Sequence, residues 1–209
     1  MITLCWAAKG GSGTTVVTAA MAIATTEPTL LIDLDGDQPT VLGLPDPDGP
    51  GVHDWLRSDA EPARLVGLEI PVNQHVSLLP AGRIAAADPN RWAAFAGWLR
   101  AEKRRVIIDA GSQAPPPAVF DVADQALLVT RPCYLALRAA IRQAARPTGV
   151  VLIEEPGRSL RRGDIEASLG VPIVASSLLD PAVARAVDAG LLVARLPRAL
   201  RHQMRLVAA

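Results

Sequence analysis

Short apolar runs recur along this chain at intervals that leave room for a helix between most neighbours. They are Ile2–Ala8, Leu30–Leu34, Val76–Leu79, Val106–Ile108, Ala126–Thr130, Val150–Ile153 and Pro172–Ala175. Most lack period-two alternation, which is the pattern of strands covered on both faces. The intervals predict helices over Thr14–Thr25, Asn90–Lys103, Tyr134–Ala145, Arg161–Leu169 and Pro181–Ala189. Strand alternating with helix predicts an α/β fold, with a mostly parallel sheet and helices on both faces. Some helix ends are legible directly. Asp180-Pro181 places an N-cap before a first-turn proline, and Gly170 and Gly190 are C-terminal stops. Gly43–Gly51 and Ala114–Pro117 are surface loops by composition, too short to separate domains, so residues 1–209 read as one domain.

Composition excludes several classes. A chain of 209 residues with 50% apolar content and mean hydropathy +0.25 is not disordered. Its 21 basic and 21 acidic residues cancel, so no global field draws it to nucleic acid or anionic lipid. Cys5, Cys133 and three histidines supply neither a disulfide framework nor a four-ligand zinc cluster. Cys5, inside the first strand, reads as a small buried hydrophobe. Met1–Ala8 lacks a basic leader, and no uninterrupted apolar run approaches ~20 residues. The expected compartment is therefore the cytosol, with reduced thiols.

The first strand runs straight into Lys9-Gly10-Gly11-Ser12-Gly13-Thr14-Thr15, and a helix follows. Glycines let consecutive backbone N–H groups converge on phosphate oxygens, and a helix N-terminus adds its positive dipole end. Thr15 is placed to offer a hydroxyl to Mg²⁺. The pattern G-x-x-x-x-G-K-[ST] is half met: Gly13 and Thr15 fit, Ala8 and Thr14 do not. A dinucleotide fingerprint starting at Gly11 would put its third glycine at Val16, although Asp33 lies where a ribose-binding acid belongs. A phosphate loop is the reading these residues favour; a dinucleotide site and a plain glycine turn stay open. Lys9 and Lys103 are the only lysines in a chain that otherwise writes positive charge as arginine. A compact ammonium at Lys9 suits a task that a rigid guanidinium fork would do badly.

The second strand ends Asp33-Leu34-Asp35-Gly36-Asp37-Gln38, and a later one ends Ile107-Ile108-Asp109. In an open parallel sheet the carboxyl ends of strands form the ligand edge. A magnesium nucleotide needs one carboxylate for the metal's water shell and another to orient attacking water. Taken singly, each aspartate is as well explained as a turn former or cap. The loop and both acids at one edge favour the functional reading.

With Lys9–Val16, Asp33–Gln38 and Val106–Asp109 in this order, the chain resembles the ParA/MinD superfamily of deviant P-loop ATPases. Leu128-Val129-Thr130-Arg131-Pro132 and Leu179–Ala184 also look like family segments. The resemblance spans nearly the whole chain. It implies a doubly wound α/β fold and a homodimer sandwiching ATP or ADP with Mg²⁺. It also implies that Lys9 reaches across to the partner's phosphates and that Asp35 is the hydrolytic residue. Gly10, Gly11, Ser12, Gly13 and Thr14 would line the phosphates. Thr15 matches the metal ligand, with Asp33 and Asp109 as the acidic strand ends, and Asp180-Pro181 lies near adenine. Two departures stand out. Thr14 replaces the second loop lysine, and Ile153-Glu154 stands where many relatives have an adenine-contacting asparagine. Weak or absent hydrolysis is the expectation. A non-lysine in that slot is typical of the TadZ/CpaE-like branch, which localises pilus machinery; other relatives position septa, plasmids or chromosomes. The expected role is thus a positioning switch for a pilus, septum or partition assembly, with a dimerising pseudo-ATPase scaffold as the alternative. A ligase-like enzyme on the same fold lacks a matching His, Cys or paired Glu constellation.

Two surfaces invite partners. Leu196, Leu200, Met204 and Val207 form one stripe of a C-terminal amphipathic helix within residues 196–209, with Arg198, Arg201 and Arg205 away from it. Such a helix either packs on its own domain or lies on a membrane surface at the inner face. Arg158, Arg161 and Arg162 form a second basic cluster, either solvated or touching DNA backbone. Trp6, Trp55, Trp92 and Trp98 read as core or interface anchors.

Overall fold

A computed structural model describes residues 1–207 and contains one eight-stranded sheet, ordered β3-β4-β2-β5-β1-β6-β7-β8. The strands are β1 (Ile2–Trp6), β2 (Thr29–Asp33), β3 (Ile70–Pro71), β4 (Val76–Leu79), β5 (Arg105–Asp109), β6 (Gln125–Thr130), β7 (Gly149–Glu154) and β8 (Ile173–Leu178). All neighbours pair in parallel except β3 with β4. The chain works outward from β1 to one side through β2 and β4, then to the other through β6, β7 and β8. This is a doubly wound α/β fold, and its direction reverses beside β1, where ligands bind in such sheets.

Both faces of the strands are used. Leu30 and Ile32 enter one core with Trp6, Phe95 and Leu99, while Leu31 between them enters the other with Val17, Met21 and Leu127. Likewise Val106 and Ile108 face one layer and Ile107 the opposite one. Successive side chains of a strand point to opposite faces, so a strand covered twice must be apolar throughout.

The first layer is built by α1 (Thr14–Ala24), α2 (Gln38–Leu42), α8 (Pro181–Asp188) and α9 (Arg198–Val207). The second holds α3 (Val52–Leu56), α4 (Pro89–Ala101), α5 (Pro117–Phe120) and part of α6 (Tyr134–Arg142). Helix α7 (Arg162–Leu169) covers β7 and β8 through Ile165. Asp180 caps α8 as expected, accepting from Ala182 N–H at 2.8 Å, and Gly170 ends α7 at φ 70°. Helix α6 stops three residues earlier than its pattern suggested. Strand β8 runs on to Leu178 through serines that carry no apolar signal.

The C-terminal stripe is spent on the fold. Leu196, Leu200, Met204 and Val207 are buried in the core that contains α1. Of the two alternatives for the stripe, the structure has the one in which it packs on its own domain, so its apolar face is covered. Residues 208–209 of the expected helix lie outside the described residues. In the second basic cluster, Arg158 pairs with Glu155 at 2.8 Å and Arg162 approaches Glu154 at 3.7 Å, which leaves less charge for a nucleic-acid backbone. Trp6 and Trp55 are buried, and Trp92 and Trp98 pack against the same cluster. No helix among the described residues is long and apolar enough to cross a membrane.

Candidate nucleotide site

The glycine loop leaves β1 and winds directly into α1. Gly11 and Gly13 adopt φ of 78° and 91°, a left-handed backbone open to glycine without strain. Gly13 is the N-cap of α1 and contributes no side-chain cap, and no acid stands in the first turn. The first-turn N–H groups of a helix have no intrahelical partner. Left uncapped, they face an anion as a set of donors with the dipole behind them. Ser12 braces the loop, its hydroxyl donating to the Lys9 carbonyl at 2.8 Å. A cavity of about 310 Å³ opens above, lined by residues 9–16 with Ala7, Asp35, Asp37, Gly111 and Ser112.

Behind this cavity lies a buried polar network. Asp33 and Asp109 stand side by side in register at the tips of β2 and β5. Asp33 accepts from the backbone N–H groups of Asp35 (3.0 Å), Gly36 (2.7 Å) and Gln38 (3.0 Å). Asp109 accepts from Gly111 N–H at 3.0 Å and from the Gln38 amide at 2.8 Å. The same Gln38 nitrogen also reaches the Thr18 hydroxyl (2.7 Å) and the Thr15 carbonyl (3.1 Å). Gln38 thus ties the second-strand loop to α1 and to β5.

Burial pushes Asp109 up to about 6; Gly111 N–H opposes this, the neighbouring Asp33 charge adds to it, and the Gln38 amide and Thr15 hydroxyl oppose it. Burial also raises Asp33, against its three backbone donors. Asp35 is raised by partial burial and then by the charge of Asp37, which favours proton uptake nearer neutrality. Its carboxyl group lies where a Cβ on Gly111 would sit, so Gly111, at φ 63°, leaves the space that Asp35 fills.

The raised Asp109 has a consequence for stability. Its folded pKa lies above the ordinary carboxylate value, so folding favours the protonated form. The cost of ionising it is absent below about pH 4 and complete above about pH 6. Metal-free protein is therefore expected to melt higher at pH 5.5 than at pH 8, and Asp109→Asn should shrink that difference. Equal shrinkage in an exposed Asp46→Asn control would remove Asp109 as the cause.

The expected site residues separate into groups. Lys9 through Thr15 and Asp35 line the loop cavity together. Lys9 is exposed, and among the described residues no acid pairs with it. Thr14 is buried and neutral. Asp33, expected at the metal, is fully buried with both oxygens accepting from its own loop, which it shapes. Asp109 is also buried, beside Thr15. No group of three acid, thiol or imidazole side chains among the described residues is arranged to hold a metal unaided. Mg²⁺ characteristically keeps several waters and binds through one or two protein groups plus phosphates, and the Thr15–Asp109 pair fits that use.

A second, more apolar cavity of about 270 Å³ shares Ser12, Gly13 and Val16 with the first and is walled by Ile153, Leu179, Asp180 and Val183. Asp180 lines it while capping α8; Pro181 starts that helix and does not line the cavity. Gln38, Asp37, Ser112 and Arg131 were not assigned roles by sequence reasoning. Asp37, Gln38 and Arg131 carried a signal only as members of segments with a family look; Ser112 carried none.

A doubly wound sheet with an uncapped glycine loop entering a helix at its carboxyl edge defines a P-loop nucleotide-binding architecture. Solved structures narrow it further. The chain is similar to the septum site-determining protein MinD complexed with Mg-ADP from Pyrococcus horikoshii OT3, at 22% identity and TM-score 0.77 over 100% of this chain and 95% of that one. It is similar to a ParA family ATPase from Chlorobium tepidum TLS, at 19% identity and TM-score 0.76 over 99% and 97%. It is also similar to the MinC:MinD cell division protein complex from Aquifex aeolicus, at 18% identity and TM-score 0.78 over 100% and 94%. No protein-family model and no curated protein matches the sequence. The chain has the fold of the MinD and ParA family P-loop ATPases.

Proposed function

We propose that this chain is a nucleotide-dependent dimeric switch of the ParA/MinD type that positions a larger cellular assembly. It binds Mg-ATP or Mg-ADP weakly and hydrolyses ATP slowly or not at all. The observation that carries this reading is the uncapped start of α1 behind left-handed Gly11 and Gly13, facing Asp35 across one cavity.

The chain's own residues divide the work. First-turn N–H groups and the loop backbone bind phosphate oxygens, and Thr15 with Asp109 behind it orients the Mg²⁺ shell. The bound ion would neutralise developing phosphate charge. Asp35 holds attacking water, and its raised pKa helps it take the proton. With Thr14 in the lysine slot, one charge for the transition state is missing, and phosphoryl transfer depends mainly on positioning and charge neutralisation.

The partner is a second copy of the chain together with a protein of a septum, pilus or partition assembly. The similar MinD structures, a septum site-determining protein and a cell division complex with MinC, favour a protein-positioning role. Thr14 favours the TadZ/CpaE-like branch. It also supports a second reading, a pseudo-ATPase scaffold that dimerises without turnover. Titration calorimetry is the test: saturable binding of Mg-ADP and Mg-ATP is expected in the high-micromolar to millimolar range. Silence at millimolar nucleotide would refute the switch and leave the scaffold.

A further inference from the structure

Arg131 follows β6, and its Nε is buried without a hydrogen-bond partner. Among the described residues no carboxylate comes within ion-pair distance of its guanidinium. Asp180 and Asp188 share its cavity but do not neutralise it. Arginine cannot shed its charge when buried, so a half-buried, unpaired guanidinium is costly unless a ligand completes it. This one lines the apolar cavity beside Ser12 and Gly13, the loop residues that also wall the phosphate cavity. An occupant extending from one cavity to the other crosses Ser12 and Gly13, which line both, and leaves the cavity that Arg131 lines.

We propose that Arg131 supplies the positive charge that Thr14 does not. Its guanidinium donates to a phosphate oxygen of a nucleotide whose phosphates lie on the glycine loop and whose base fills the apolar cavity. The planar fork matches phosphate geometry, and two parallel donors hold it more firmly than a point charge would. The charge comes from the end of β6 instead of the loop, so the loop binds phosphate while the lysine slot stays neutral. The inference rests on the nucleotide reading above.

Calorimetry with Mg-ADP and Mg-GDP on wild type, Arg131→Ala and Arg131→Gln tests it. Both variants are expected to weaken ADP about ten- to hundredfold, the loss of one charged hydrogen-bonding partner. The ADP-to-GDP affinity ratio should not change, because the contact is to phosphate. Nucleotide-free melting temperatures should stay close to wild type, because the guanidinium makes no hydrogen bond or ion pair that folding would lose; Arg131→Gln keeps the test available should the alanine variant fold poorly. Wild-type affinity in either folded variant overturns the proposal. So does a changed ADP-to-GDP ratio, which would make Arg131 a reader of the base. If wild type itself binds neither nucleotide, the nucleotide reading has failed and the Arg131 proposal goes with it; if wild type binds and the variants match it, only the Arg131 proposal has failed.

Discussion

Thr14→Lys is expected to tighten Mg-ADP and Mg-ATP binding by about ten- to hundredfold, the worth of one charge-assisted hydrogen bond in a partly desolvated site. Thr14 is the first residue of α1 and is buried at the loop. Its backbone N–H already points with the others, so the change adds a charge without rebuilding the cradle. Turnover should rise only if Asp35 can hold water, which Gly111 allows by leaving room for its carboxyl group. Calorimetry and a phosphate-release assay on the same preparation separate binding from chemistry. The double variant Thr14→Lys/Arg131→Ala sharpens the result: if the two cations serve the same phosphates, it should bind close to wild type. An unchanged affinity in Thr14→Lys alone would show that the missing loop charge does not limit binding. A wild-type hydrolysis rate typical of P-loop ATPases would show the neutral slot to be no handicap.

Much of the architecture was legible because a doubly covered sheet writes its strands as unbroken apolar runs. Leu30, Leu31 and Ile32 could all be apolar only if both faces were buried, and both are. The capping signal at Asp180-Pro181 worked for an equally local reason, a carboxylate satisfying its own helix start. Elements too short to show a period were invisible: α2 and α3 span five residues each, and β3 only two. Strand β8 was underestimated because, at the sheet edge, Ser176 and Ser177 replace apolar residues.

The site was legible in its loop and its acids but not in how they divide the labour. Asp33 stands at the strand end expected at the metal, but nothing local announces that three backbone N–H groups also close on it, the turn-forming tendency of aspartate after a strand. The bridging role of Gln38 was hidden for the opposite reason. Glutamine is usually exposed, and nothing local announces that this amide bridges Thr15, Thr18 and Asp109 across long sequence separations. Arg131 is similar, since its lack of a partner exists only once β6 lies beside β1.

Lys9→Ala is expected to abolish nucleotide-driven dimerisation while leaving the monomer folded. Lys9 is exposed on the loop, and among the described residues nothing acidic pairs with it, so it holds no part of the core. An ammonium on a flexible stem beside a phosphate cavity can serve its own site or that of a second copy facing it. If it reaches across, nucleotide in each site offers anionic charge to the other protomer's lysine, and occupancy stabilises the dimer by mass action. Analytical ultracentrifugation then shows wild type shifting from monomer toward dimer with Mg-ATP, and Lys9→Ala remaining monomeric at the same nucleotide saturation. Saturation must be checked by calorimetry, because a variant that merely binds less nucleotide would mimic the loss. Lys9→Arg should rescue poorly, since the bulkier fork fixes its donors in a plane that the crossing does not need. A dimer that forms equally without nucleotide and ignores Lys9 would contradict the switch. In that case the loop would serve a constitutive assembly, and Lys9 would be a solvated surface residue on the same fold.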